Sequence, residues 1–164
     1  MYFLIKDYCS NSVYTVLSKA KDKSYINYRL KTRTNVIFNQ YHEIFYKILE
    51  TGKYRKIVPI NIEELICPIV LAHLIIGDGT FSPVDSRIRI STYNYTFQEC
   101  EMLSKAIKNN CNIVSKVLYD RIGHSGEKQY ILTIGKNQLI KVQQTVQIHM
   151  HQTILYRIGI ISPS

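Results

Sequence analysis

Residues 68–79 read Pro68-Ile69-Val70-Leu71-Ala72-His73-Leu74-Ile75-Ile76-Gly77-Asp78-Gly79. Proline cannot sit deep inside a helix but suits its first position. The stretch therefore predicts a helix that starts at Pro68 and stops where two glycines bracket an acid. Just upstream, Asn61 followed by Glu64 has the form of a capping box and predicts a short helical turn over 61–66. The apolar run from Leu65 to Ile76 is 12 residues long. A bilayer span needs roughly 20, so no membrane partner is expected.

Beyond this helix the pattern predicts strand, strand, helix, strand, strand, helix. Residues 87–93 alternate, with Arg87 and Arg89 on one face and Ile88 and Ile90 on the other. Thr96 is placed to cap a helix over 97–110, with Glu99 in its first turn and Lys105 and Lys108 near its end. Residues 113–120 and 129–134 predict a hairpin around Gly123 and Gly126. Residues 137–149 predict a last helix, and 153–160 a short closing segment.

Upstream, residues 7–20 read as weakly helical or loop-like. Residues 24–34 alternate with period 2, placing Ile26, Tyr28, Leu30 and Thr32 on one face and Asn27, Arg29, Lys31 and Arg33 on the other. A sheet with one cationic face suits a phosphate backbone, although a plain solvated face gives the same pattern. Residues 36–50 carry an apolar stripe at helical spacing and predict a helix ended by Gly52 as C-cap. Residues 54–60 read as a basic linker.

The formal charge is +9 over 164 residues. The first 60 residues hold 11 Lys and Arg against 4 Asp and Glu, a net +7, and the remainder hold a net +2. That balance favours a polyanionic partner without naming it. Cys9, Cys67, Cys100 and Cys111 form no CxxC pair and read as free thiols of a reducing compartment. His149 and His151, two apart on a predicted helix, point to different faces and make a poor metal pair.

The nine residues Leu71 to Gly79 resemble the LAGLIDADG motif of homing endonucleases. The lead-in Pro59-Ile60-Asn61-Ile62-Glu63-Glu64-Leu65 resembles the approach to the second motif in two-motif organellar members. Residues 92–103, 130–141 and Leu155-Tyr156-Arg157-Ile158-Gly159 are similar to the stretches downstream of that motif in those members. Asp7-Tyr8-Cys9-Ser10, residues 27–32 and residues 38–46 resemble the last third of a first repeat. The resemblance implies an α+β fold of αββαββα repeats, each a saddle-shaped antiparallel sheet with helices on one face. It implies residues 1–58 as a remnant of a first repeat plus linker, and residues 59–164 as one complete repeat.

In that family two such helices cross side by side, and each delivers one acid to a shared cleft. By resemblance Asp78 is the catalytic and metal-binding acid, with the Gly77 carbonyl beside it and Mg²⁺ as the expected divalent cation. A turn-forming Asp between glycines is the plainer alternative. Small residues such as Ala72 and Gly77 are expected to let the helices approach. Lys136 matches a position where the family often keeps a basic residue near the scissile phosphate, and a surface Lys at a helix start is the alternative. Where relatives carry Thr-Gln this chain has Thr92-Tyr93, so the amide that would position the attacking water is missing. His73 is expected to pack in the core or an interface. Arg29, Lys31, Arg33, Arg87, Arg89 and Lys116 are expected to contact double-stranded DNA.

Cutting both strands takes two acids, and this chain carries one motif. The partner of Asp78 is expected from a second copy of the chain or from a first repeat lying upstream; otherwise the chain is a remnant that binds without cutting. A second class of function is intron RNA binding as a maturase, through Lys19, Lys21, Lys23, Lys53, Arg55 and Lys56. A third is a basic structural protein. The resemblance, with usage rich in Asn, Ile, Lys and Tyr, implies an intron-encoded mitochondrial product.

Overall fold

The computed structural model describes residues 5–20, 23–124 and 126–160, so Lys21 lies outside the described residues. The chain divides into two compact units, Met1–Ile44 and Phe45–Ser164. The expected boundary at residue 58 differs from this division by one hairpin.

In the first unit, β1 (Tyr14–Ala20) pairs antiparallel with β2 (Lys23–Arg29). The expected helix or loop over 7–20 is thus a strand, preceded by one 3-10 turn at Lys6–Tyr8. Tyr14, Thr15 and Val16 are β-branched or aromatic and fit a pleated pair better than a helix. Past β2 the chain returns along itself: Cys9 bridges Thr32, Ser10 donates to the Lys31 carbonyl, and Arg33 N–H donates to the Tyr8 carbonyl. The expected apolar face of β2 is not buried, since every β2 side chain is exposed. A two-stranded ribbon has no second layer of its own to cover it. Helix α1 (Ile37–Phe45) starts where Asn35 Oδ1 accepts from the Ile37 N–H at 3.0 Å.

The helix expected through residue 50 stops at Phe45. There β3 (Tyr46–Ile48) begins and pairs antiparallel with β4 (Tyr54–Lys56). Gly52, at φ +76°, closes this hairpin instead of capping a helix. It supplies the left-handed turn conformation that other residues resist. The expected basic linker is therefore the return strand. It leads to buried Val58 and Pro59, and Arg55 makes a two-pronged ion pair with Glu99 at 3.0 and 3.1 Å.

The second unit continues with α2 (Ile62–Leu65), α3 (Pro68–Asp78), β5 (Gly79–Ser82), β6 (Arg87–Ser91), α4 (Phe97–Cys111), β7 (Lys116–Ile122), β8 (Lys128–Ile134) and α5 (Leu139–Val146). From α3 onward this is the expected αββαββα order. Asn61 does not cap α2 with its side chain; its amide reaches the Glu64 carboxylate at 3.4 Å instead. The Thr96–Glu99 capping box does form at α4. The last expected helix is broken into a 3-10 turn (Lys136–Gln138), α5 and another turn (Gln147–His149), before a 3-10 segment over Gln152–Ile158.

The four strands form one antiparallel sheet in the order β5-β6-β8-β7. Ile88, Ile90, Leu132 and Ile134 turn to one face and are fully buried against Leu71, Ala72 and Ile75 of α3, Leu103, Ala106 and Ile107 of α4, and Val142 and Val146 of α5. The alternation of each strand puts the polar set on the other face. Among the described residues no helix is long and apolar enough to cross a membrane.

Candidate nucleic-acid interface and acid corner

Helix α3 runs straight into β5 without a loop. Gly79 makes that corner possible. Its N–H donates to the Ile75 carbonyl, and a Cβ there would lie 2.5 Å from that oxygen and 2.8 Å from the Ile75 Cα. A larger residue could not follow the helix so closely. Asp78 is consequently fixed as the last residue of the helix, and its side chain and Gly77 are both exposed.

Two cations stand by this corner, and Lys136 is not one of them. The Arg157 guanidinium donates to the carbonyl of Gly79, the residue after the acid. It comes from the 3-10 segment over Gln152–Ile158, which ends at Gly159 with φ +74°. A Cβ on Gly159 would fall 2.7 Å from the Phe81 ring, so this glycine lets the segment press onto β5. Lys56 Nζ lies 5.9 Å from the centre of the Tyr95 ring. Burial pushes the Tyr95 phenol above its ordinary value; Lys56 and its hydrogen bond draw it back, and the charges of Asp78 and Glu99 raise it. Tyr95 thus shares one electrostatic neighbourhood with Lys56 and Asp78.

Lys136 follows the far end of β8. Gly79 is level with Ile90 and Leu132, β8 runs on past that level to Ile134 beside Ile88 and Phe81, and Lys136 starts the 3-10 turn beyond the strand's end. The structure therefore does not bring Lys136 and Asp78 together. Lys136 sits between Gly135 and Asn137, which line a cavity of about 380 Å³ with Arg87 and Lys116. The sequence signal for Arg157 was there in Tyr156-Arg157-Ile158-Gly159, but its distance of 79 positions from Asp78 hid the contact.

Ala72 is fully buried in the core of its own unit and does not face outward as expected of an interface residue. Gly77 is exposed, with nothing within 4 Å of a Cβ built on it. Ile69 and Val70 are exposed, and His73 and Ile76 are half-buried, leaving α3 an apolar outer stripe that passes Gly77 and ends at Asp78.

The open face of the sheet carries Arg87, Arg89 and Ser91 from β6, opposite Thr133 and Ile131 of β8 and Lys116 and Leu118 of β7. Arg87 and Arg89 thus share this face, as the alternation predicted, and Lys116 of β7 stands on it too. Arg29, Lys31 and Arg33 belong to the first unit and are exposed there. The sequence reading missed Asp120, Arg121 and Gln129, because the bulge between Tyr119 and Arg121 breaks the alternation from which a face is read. Thr92 is buried and donates to the Tyr130 carbonyl at 2.7 Å. Tyr93 lies under Arg121, whose guanidinium carbon is 4.7 Å from the ring centre.

For a metal, the corner provides oxygen donors only: the Asp78 carboxylate and the carbonyls of the helix's last turn. Such donors fit a hard divalent cation in kind. Among the described residues no group of three or more His, Cys, Asp or Glu side chains gathers to hold an ion, so the corner offers one carboxylate.

The arrangement is an antiparallel sheet with one cationic face, backed by helices, with a lone acid at a helix foot on its edge. The LAGLIDADG DNA endonuclease family profile matches residues 1–142, and the chain belongs to that family. Its fold is similar to that of the homing endonuclease I-WcaI bound to its DNA recognition sequence, with a TM-score of 0.79 over 98% of this chain and 70% of that one. At 14% identity the likeness is one of fold. No curated protein matches the chain.

Proposed function

We propose that the chain binds double-stranded DNA across the open face of the β5-β6-β8-β7 sheet and contributes Asp78 as one acid of a phosphodiester-hydrolysing site. The observation that carries this is the fixed corner at Asp78-Gly79, with Arg157 held one residue away. Asp78 and the Gly77 carbonyl would hold a divalent cation, for which Mg²⁺ is the natural candidate. When bound, such an ion supplies an activated water and neutralises charge at the scissile phosphate. Arg157 and Lys56 are the chain's own cations beside the acid. They attract and orient a phosphate there, while Arg87 and Lys116 hold the duplex along the sheet. Lys136, with Arg87 and Lys116, is assigned to the far end of that face.

The second acid would come from another copy of the motif, brought by the apolar outer stripe of α3, on a second chain or on a segment of the same product. An intron-encoded, mitochondrial origin is the accompanying inference. The maturase reading draws less support from the structure, because Arg55, one of its basic residues, is committed to Glu99.

Duplex binding measured against salt tests the interface. Reversing the charge of Arg87 and Lys116 together is expected to weaken binding at least tenfold and to lower the salt slope by about two. Reversing Lys105 and Lys108 on α4 is expected to change little. Equal losses from both pairs would remove the sheet face from the account.

A further inference from the structure

We infer that Asp120 is a positioning residue for base recognition, holding Arg89 and Arg121 in fixed poses from which they read guanine in the major groove. The inference rests on the sheet face being a DNA interface and adds which side chains set its specificity. An acid is out of place on a face that meets phosphates, since it repels the ligand. Yet Asp120 takes its place between two arginines: Oδ1 accepts from Arg89 Nη2 at 2.7 Å, and Oδ2 lies 3.5 Å from Arg121 Nε. Its side chain is 17% exposed, against 49% for Arg89 and 59% for Arg121.

Arg121 is held three ways. Its Nε donates to Gln129 Oε1 at 3.3 Å, the same end faces Asp120, and its plane lies over Tyr93. These contacts use the Nε end and one face, so the Nη edge is the part presented to a ligand. Arg89 is anchored through one Nη2 bond and keeps donors on its remaining edge. A guanidinium edge pairs with guanine O6 and N7 through two parallel bonds. Freezing the arginine beforehand spares the rotamer entropy that binding would otherwise cost.

The bulge between Tyr119 and Arg121 lets consecutive residues share this duty. Arg121 is level with Gln129, while Asp120 turns in to reach Arg89 two strands away in the order β6-β8-β7. Tyr93, a poor substitute for an amide in positioning water, has a use here as the platform on which Arg121 lies.

The test is selection of duplexes from a randomised DNA library by the full chain and by Asp120→Asn, with Arg121→Lys as a second variant and melting curves for each. The wild type is expected to enrich guanine at one or two positions. Asp120→Asn is expected to lose most of that preference, about tenfold at those positions, while binding unselected duplex as tightly or more tightly, because a repelling charge is gone. Arg121→Lys, which keeps the charge and loses the fork, is expected to lose the preference at one position only. An Asp120→Asn profile identical to the wild type overturns the proposal, as does a fall in melting temperature with base preference intact. Failure of the wild type to enrich any duplex takes down the interface reading as well, and so separates the two failures.

Discussion

At Gly79 the chain leaves a helix and enters a strand within one residue, and a hydrogen atom is all the Ile75 backbone leaves room for. Gly159 has a similar task across from it, where a left-handed backbone and the Phe81 ring exclude a side chain. These two glycines place Asp78 and Arg157 on the same corner from positions 79 residues apart. Gly79→Ala is expected to destabilise the fold by about 1–3 kcal/mol through overpacking. Gly159→Ala should sit at the upper end, since it adds backbone strain. At roughly 4 °C per kcal/mol for a unit of this size, melting curves resolve both; an unchanged melting temperature for Gly79→Ala would refute the tight corner. The Gly-Asp-Gly triplet could be read from the sequence. The pairing of Arg157 with it could not, because no local pattern encodes a contact between a closing 3-10 segment and the first strand.

Within the second unit, the Arg55–Glu99 ion pair ties the β3-β4 hairpin to the start of α4. Burial opposes ionisation of Glu99, but the Thr96 backbone and hydroxyl and the Arg55 guanidinium outweigh it and hold the carboxyl below its ordinary 4.5. A group depressed in the folded state binds its proton more readily when unfolded. Its stabilisation is therefore present above 4.5 and is lost as the pH falls through the lower folded value. Glu99→Gln is expected to melt lower than the wild type at pH 7 and to converge with it as the pH falls through the lowered folded value. Parallel curves over that range would refute the assignment. The Thr96–Glu99 box was legible because its signal is local. The hairpin was not: Tyr46, Ile48 and Leu49 continue the helical stripe of α1, and only Gly52 in a left-handed turn, with a partner strand at 54–56, decides for strands. Alternation served well on β6, where a helix layer buries one side, and failed on β2, where the ribbon has no second layer. Lys136 was misplaced for a related reason: position in the chain gave its strand, and only the register of β8 gave its distance from Asp78.

For the molecule as a whole, the proposed function gives one acid at the edge of a cationic sheet half of a double-strand cut. The outer stripe of α3, with Ile69, Val70, His73 and Gly77, is the natural seat for the other half. The most direct measurement is cleavage of a duplex selected by the chain, in Mg²⁺, at chain concentrations well above the dissociation constant so that two copies can meet on the site. Mg²⁺-dependent strand scission is expected from the wild type and none from Asp78→Asn, which should bind the same duplex with unchanged affinity. A bound duplex left intact by the wild type would exclude a second copy as the source of the other acid; scission by Asp78→Asn at the wild-type rate would contradict the assignment of Asp78 itself.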